Sequence, residues 1–379
     1  MDVEKTIIIK KENMNQLINV GSLKTKQISI KRLDYISLVK ILSACFVILK
    51  HTNNSYWFYK EYSISINIIC SLCMCAVPLF ALCIGATLLN FNEKYGILEY
   101  WKRRILKIII PIIGWNVFYY IFKVYIIKNF PKIKLNFINI YNLYFYNKLY
   151  GIISSLRIFM FGYMVIPLIA LIDKKEKIKL YSYGLIIILI NQSTIPYIIN
   201  ILYNYTNLLS ESSNTYIIDW PYNYNSGYIV YLFSGYIIQN KKLILKYKLI
   251  LYVFGIFGLF LRLMISHDLT LKHKMADRTQ IKYINLPIVI YSCSVFLFIK
   301  ENSKFLFKII NKKYIHEIGS LSLGPFFLHN LIIETLPRFY KYSRASFNYR
   351  IYGFILISIT CFLIAFIIKK IPLIKYLIP

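Results

Sequence analysis

The stretch from Arg32 to Asn54 reads RLDYISLVKILSACFVILKHTNN, and how it is read decides the fold. Its apolar run is long enough for a helix to cross a hydrocarbon core of about 30 Å, yet Lys40 and His51 stand inside it, eleven positions apart. At 3.6 residues per turn, eleven steps make about three turns and return to within ~20° of the same face, roughly 16 Å further along the axis. A base toward one membrane surface and an imidazole toward the other, on one helix face, point to a site that works across the bilayer.

The rest of the chain agrees that this helix lies in a membrane. Of 379 residues, 58% are hydrophobic and only 16% charged, with a mean hydropathy of +0.53. A soluble domain of this size carries more charge and interrupts its apolar runs more often. The net charge of +30 would point to nucleic acid in a soluble protein. In a membrane protein, Lys and Arg gather instead in cytoplasmic loops, so no nucleic-acid partner is expected. The aromatic share of 17% suits interfacial Tyr and Trp belts, and the surplus of Ile, Lys, Asn and Tyr also fits an AT-rich genome. Residues 1–31 are polar and basic, without the short apolar core and small-residue cleavage site of a signal peptide.

Ten spans are predicted, near 35–55, 65–89, 105–127, 150–172, 180–201, 223–239, 248–267, 282–300, 315–336 and 350–369. With the N-terminus inside, and span-end residues counted with their loops, the cytoplasmic segments hold 28 Lys and Arg and the outer loops 13. The expectation is an all-α polytopic bundle of about ten transmembrane helices with both termini cytoplasmic. It divides into a basic cytoplasmic tail (1–31) and one membrane domain (32–379) in the cell membrane. No appended esterase-like domain is expected after the tenth span. The outer loop 202–222 is polar, aromatic and acidic, which suits a carbohydrate entrance or a solvated connector. No internal repeat is visible, so the inverted-repeat pattern of many transporters is absent.

Ionisable groups inside a membrane are costly and mark function. His51 lies about 24 Å along the first helix, where a neutral imidazole can act as a general base; the bland alternative is an interfacial histidine. Lys40 sits a turn inside the cytoplasmic boundary, as a site residue or one that snorkels to the headgroups. His329, in GSLSLGPFFLHN, lies about 21 Å along the ninth span. The first and ninth spans both run outward, so the two imidazoles are expected at similar depth, where they can flank an acceptor. The run WKRRILKIIIP opens the third span with Arg103, Arg104 and Lys107, a cluster able to hold a phosphorylated cofactor or to act as ordinary positive-inside flanking. Arg157 and Arg262 are expected to snorkel from outer helix ends. The seven cysteines fall in apolar spans; Cys70, Cys73 and Cys75 have metal-like spacing but no nearby histidine, so buried thiols are expected and no metal.

These motifs together resemble acyltransferase family 3, bacterial membrane proteins that O-acylate surface glycans and related acceptors. The family's first helix usually reads Arg…Tyr-Ile-Asp-x-x-Lys, ten residues, then His; Arg32, Tyr35, Ile36, Lys40 and His51 match, with Ser37 in place of Asp. Val77-Pro78-Leu79-Phe80 and Ile84-Gly85 follow its second helix, with the serine lost. Arg104-x-x-Lys107-Ile108-x-x-Pro111 follows its basic motif, with Lys for the second Arg. Leu321 to His329 follow Leu-Ser-x-Gly-x-x-x-Leu-His, and Tyr163-x-x-x-Pro167 recurs without the His-Leu-Trp-Phe that often precedes it.

The resemblance covers nearly the whole chain. It implies transfer of an acyl group, most simply acetyl, from cytoplasmic acyl-CoA to a hydroxyl of a surface glycan, alone or with other polysaccharide-assembly proteins. His51 would be the catalytic residue, Lys40 its functional partner, and Arg104 with Lys107 part of the donor end. Two alternatives stay open at this point. One is a polysaccharide exporter on the same scaffold; the other is a scaffold whose site has decayed at Ser37, Ile84 and Lys107.

Overall fold

The computed structural model describes residues 33–53, 63–128, 132, 136, 151–206, 228–275, 277, 279–339, 346 and 348–378, with side chains at 151–158, 281 and 337–339 outside the description. The tail 1–31 and most of the loop 202–222 lie outside the described residues. Those described are helical, with no strand. In chain order the helices are α1 (Tyr35–Thr52), α2 (Ile64–Cys73), α3 (Ala76–Leu88), α4 (Ile97–Ile127), α5 (Gly151–Ala170), α6 (Lys174–Tyr205), α7 (Ile229–Asn240), α8 (Leu245–His273), α9 (Leu286–Ile309), α10 (Lys312–Ser320), α11 (Leu323–Phe339) and α12 (Tyr349–Lys370).

Every one of the ten predicted spans falls on helix. Six of them are long and apolar enough to cross a membrane: α1, the Ile64–Glu93 segment holding α2 and α3, α4, α6, α8 and α12. The other four fall on α5, α7, α9 and the α10–α11 pair. The 12 residues of α7 rise only about 18 Å, and the predicted ninth span is broken between Ser320 and Leu323.

Burial orders the bundle. The apolar window of the Ile64–Glu93 segment is 78% buried and that of α1 50%, against 17% for α6 and 22% for α8 and α12. Helix α1 therefore lies in the interior, packed by α2, α3, α9, α10, α11 and α12. The outer helices turn residues such as Ile113, Val117, Phe257, Ile359 and Leu363 outward. In water such a surface would drive aggregation; in hydrocarbon it is the solvated face.

With lipid outside, helices gain little by burying apolar area and must pack by close approach instead. At Gly85 of α3 and Gly235 of α7 the approach is reciprocal: a Cβ at Gly85 would meet the backbone of Leu232, and one at Gly235 the backbone of Leu82. Gly319 sits on Ser37 of α1, and Gly324 on Ala365 of α12.

Prolines set the interruptions. Pro78 and Pro325 each follow a break in the helix, and Pro111 and Pro196 each follow a wide turn, Ile105–Ile109 and Leu189–Thr194. Proline has no N–H for the carbonyl four residues back, so the helix widens or stops there. At the α2–α3 break the Ser43 hydroxyl donates to the Ala76 carbonyl.

Candidate active site

His51 occupies the last turn of α1 and His329 the middle of α11. The bundle brings their rings together, centroids 4.8 Å apart and planes inclined at 47°. His329 is fully buried. Its Nδ1 lies 2.9 Å from the Pro325 carbonyl, which only accepts, so Nδ1 carries the proton and Nε2 keeps a lone pair. That Nε2 is buried with no hydrogen-bond partner, an arrangement that costs stability unless something is bound there. The wall behind it is aromatic: Trp115 stacks on Phe327 at 5.4 Å, the Tyr119 hydroxyl donates to the Phe327 carbonyl, and Phe326 meets His329 edge-on at 6.4 Å. Beside His51, Lys50 turns to the Tyr283 hydroxyl at 3.1 Å and the Met74 sulfur at 3.3 Å.

The other end of α1 is basic. Lys107 lies within electrostatic reach of Arg104, Lys40, Arg103 and Lys369, and Lys369 within reach of Lys40. Arg104 is held between the rings of Tyr100 and Tyr163, 5.7 Å from each, with its buried Nε unpartnered. This gives Tyr163 of the Tyr-x-x-x-Pro motif a place: its ring faces Arg104, and its carbonyl accepts from Tyr100 at 2.8 Å. Arg103 differs from its neighbours. It pairs with Glu99 at 2.7 Å and lies over the Tyr95 ring on the exposed side of α4.

Lys369 of α12 was not a site candidate in the sequence, where it reads as a C-terminal flanking charge. Its Nζ donates to the carbonyl and hydroxyl of Ser320 at 3.2 and 3.1 Å, which ties it to the α10–α11 break. Its approach to Lys40 comes from the packing of α12 against α1, for which the sequence holds no signal.

Ser37, where an aspartate is usual in the resemblance, is not left without a carboxylate. Its Oγ lies 2.9 Å from His316 Nδ1, and His316 Nε2 lies 3.0 Å from Asp34 Oδ1. Lys312 pairs with the other Asp34 oxygen. Partial burial works to raise the Asp34 carboxyl, but the Lys312 ammonium and His316 outweigh it and hold it below the usual carboxylate range. Asp34, just ahead of α1 and about one turn before Ser37, thus supplies a carboxylate that reaches Ser37 through His316 of α10.

Arg262 corrects an expectation. It does not snorkel: its side chain is 1% exposed, and its Nη1 donates to Ser71 and Asn67 of α2. The side chain of Arg157 lies outside the description.

A helical membrane bundle with facing imidazoles at one end of a central helix and gathered cations at the other is the class defined by fold and site. Residues 33–370 match the model of the acyltransferase 3 family, described as an acyltransferase domain, and the chain belongs to that family. No curated protein and no solved structure matches it.

Proposed function

We propose that the protein is an O-acyltransferase of the cytoplasmic membrane. It takes an acyl group, most simply acetyl, from acyl-CoA at the basic end of α1 and passes it to a hydroxyl of a cell-surface glycan at the imidazole end. In this reading the ten helical stretches each cross or line the bilayer, α2 with α3 and α10 with α11 each counting as one, and both termini are cytoplasmic. The excess of Lys and Arg in alternate loops supports that sidedness.

The observation that carries the proposal is the pair His51–His329 at the far end of α1 from Lys40. Arg104, Lys107, Lys40 and Lys369 suit the phosphates of the donor, and its extended arm would run along α1, bringing the thioester toward His51. His329, its Nδ1–H committed to Pro325, offers Nε2 as an acceptor. Taking an N–H from His51 would fix which His51 nitrogen carries the proton and leave the other as a base. The acceptor hydroxyl gives its proton to that nitrogen as its oxygen attacks the thioester carbonyl. The C–S bond breaks, the ester C–O bond forms, and the proton passes to the departing thiolate.

The test is acetyl transfer by purified protein in proteoliposomes, followed by mass spectrometry of the glycan, with glycans of cells carrying and lacking the gene alongside. His51→Ala is expected to insert normally and lose about a hundredfold or more of the transfer rate. Full activity in that variant ends the proposal. Glycan translocation without any acyl donor would support the exporter reading instead.

A further inference from the structure

Arg262 of α8 is a fully buried cation that the acyl-transfer scheme does not use. Its Nε donates to the Gln280 carbonyl at 3.3 Å, its Nη1 to Ser71 and Asn67, and its Nη2 has no partner. Among the described residues no carboxylate forms an ion pair with it. The nearby acid, Asp277, which also lies within electrostatic reach of Tyr197, accepts from the Thr279 N–H and hydroxyl at 2.8 and 2.7 Å and from the Gln280 N–H at 3.2 Å.

Two more buried polar atoms around Arg262 are unpartnered: the hydroxyl of Tyr197, on α6 and within its electrostatic reach, and Oε1 of Gln280. A second Gln280 atom, Nε2, reaches Asn200 one turn along α6 at 3.4 Å. Helices α6 and α8 and the turn after α8 thus converge on two open donors, a guanidinium N–H₂ and a phenol, beside one open acceptor, the Gln280 amide oxygen. A buried guanidinium N–H₂ left without an acceptor is expensive, and the planar fork of Arg is suited to an oxyanion.

The site also lies close to the proposed chemistry. Arg262 donates to Ser71 near the end of α2 and Lys50 to Met74 just past it, and Lys50 adjoins His51 in sequence. Resting on the transferase reading, we propose that Arg262 and Tyr197 bind an oxyanion carried by the acceptor glycan, a uronate carboxylate or a sugar phosphate, while the Gln280 amide oxygen accepts from one of the glycan's hydroxyls. The acceptor is thereby an acidic glycan, anchored at this charge while its hydroxyl meets the imidazoles.

The experiment is equilibrium binding to purified full-length protein carrying His51→Ala, so that no turnover is needed, in phosphatidylcholine nanodiscs. The probes are a uronate-containing disaccharide, its neutral hexose counterpart and a hexose phosphate. An acidic probe is expected to bind about tenfold tighter than the neutral one, and Arg262→Gln should abolish that preference. Arg262→Lys and Tyr197→Phe keep the charge or the ring should Arg262→Gln fail to fold, and each is expected to weaken the preference several-fold. Equal binding of acidic and neutral probes, or a preference untouched by these changes, overturns the proposal. Loss of acidic-probe binding on moving to phosphatidylglycerol nanodiscs would assign the site to a lipid headgroup and overturn it as well. If the wild type transfers no acyl group yet shows the Arg262-dependent preference, the anion site stands and the transferase reading falls.

Discussion

Two residues, His329 and Asp34, have surroundings that their identities alone do not reveal. His329 is set apart from an ordinary buried histidine by its Pro325 bond, which fixes one nitrogen as donor and leaves the other open. In the proposed scheme His329 is a positioning residue that acts through His51. His329→Gln is expected to lower kcat by about 10²-fold while leaving KM for the donor close to wild type, read by initial rates over a range of acyl-CoA. Asp34 predicts a pH dependence. Its carboxyl is held low in the folded protein by Lys312 and His316, so it stabilises the α1–α10 contact above the ordinary carboxylate range. That contribution is lost as pH falls below about 4, through the folded value. Hydrogen exchange of α10 amides, corrected for intrinsic rate, is expected to quicken between about pH 6 and pH 3 in the wild type and much less in Asp34→Asn. Equal acid sensitivity in both would remove Asp34 from this role.

At the scale of elements, the α3–α7 crossing is the contact most exposed to a single change. Gly85 and Gly235 each let the opposite backbone in to where a side chain would stand, and backbone cannot step aside as a flexible side chain does. Gly85→Val is expected to destabilise the protein by about 2 kcal/mol or more, read as a lowered midpoint in thermal unfolding in detergent. Gly96, at the start of α4 with open space around its position, is the control and should tolerate alanine. The motif glycine of the second helix is therefore explained by packing. The serine that usually precedes it is Ile84 here, and the Gly85 crossing with α7 is intact without it.

For the whole molecule, the basic end of α1 is assembled from helices distant in sequence: Lys40 on α1, Arg104 and Lys107 on α4, Lys369 on α12. If this is the donor's phosphate site, Lys369→Gln should raise KM for acyl-CoA by about five- to tenfold with little change in kcat. Arg103→Gln, which removes a cation already paired with Glu99 on the surface, should change KM much less. A reversed order, with Arg103 the more sensitive, would relocate the donor to the outer face of α4.

The sequence by itself determined that the chain is helical and lives in a membrane, because run length and charge content answer to the thickness of hydrocarbon, which is the same wherever the helix packs. It also showed the Lys40–His51 register, since both residues belong to one helix and 3.6 residues per turn is a local property. The breaks before Pro78 and Pro325 have the same local origin, yet the predicted second and ninth spans each run through one of them. Only the tertiary structure decided which ionisable residues meet. The 4.8 Å approach of His51 to His329, the recruitment of Lys369, the departure of Arg103 toward Glu99 and the burial of Arg262 all depend on which face of one helix is pressed against another. In a lipid-facing bundle nearly every face is apolar, so hydrophobic periodicity says little about which one turns inward. Close packing of Gly85 on Leu232, Gly319 on Ser37 and Gly324 on Ala365 makes that choice, and with it the site.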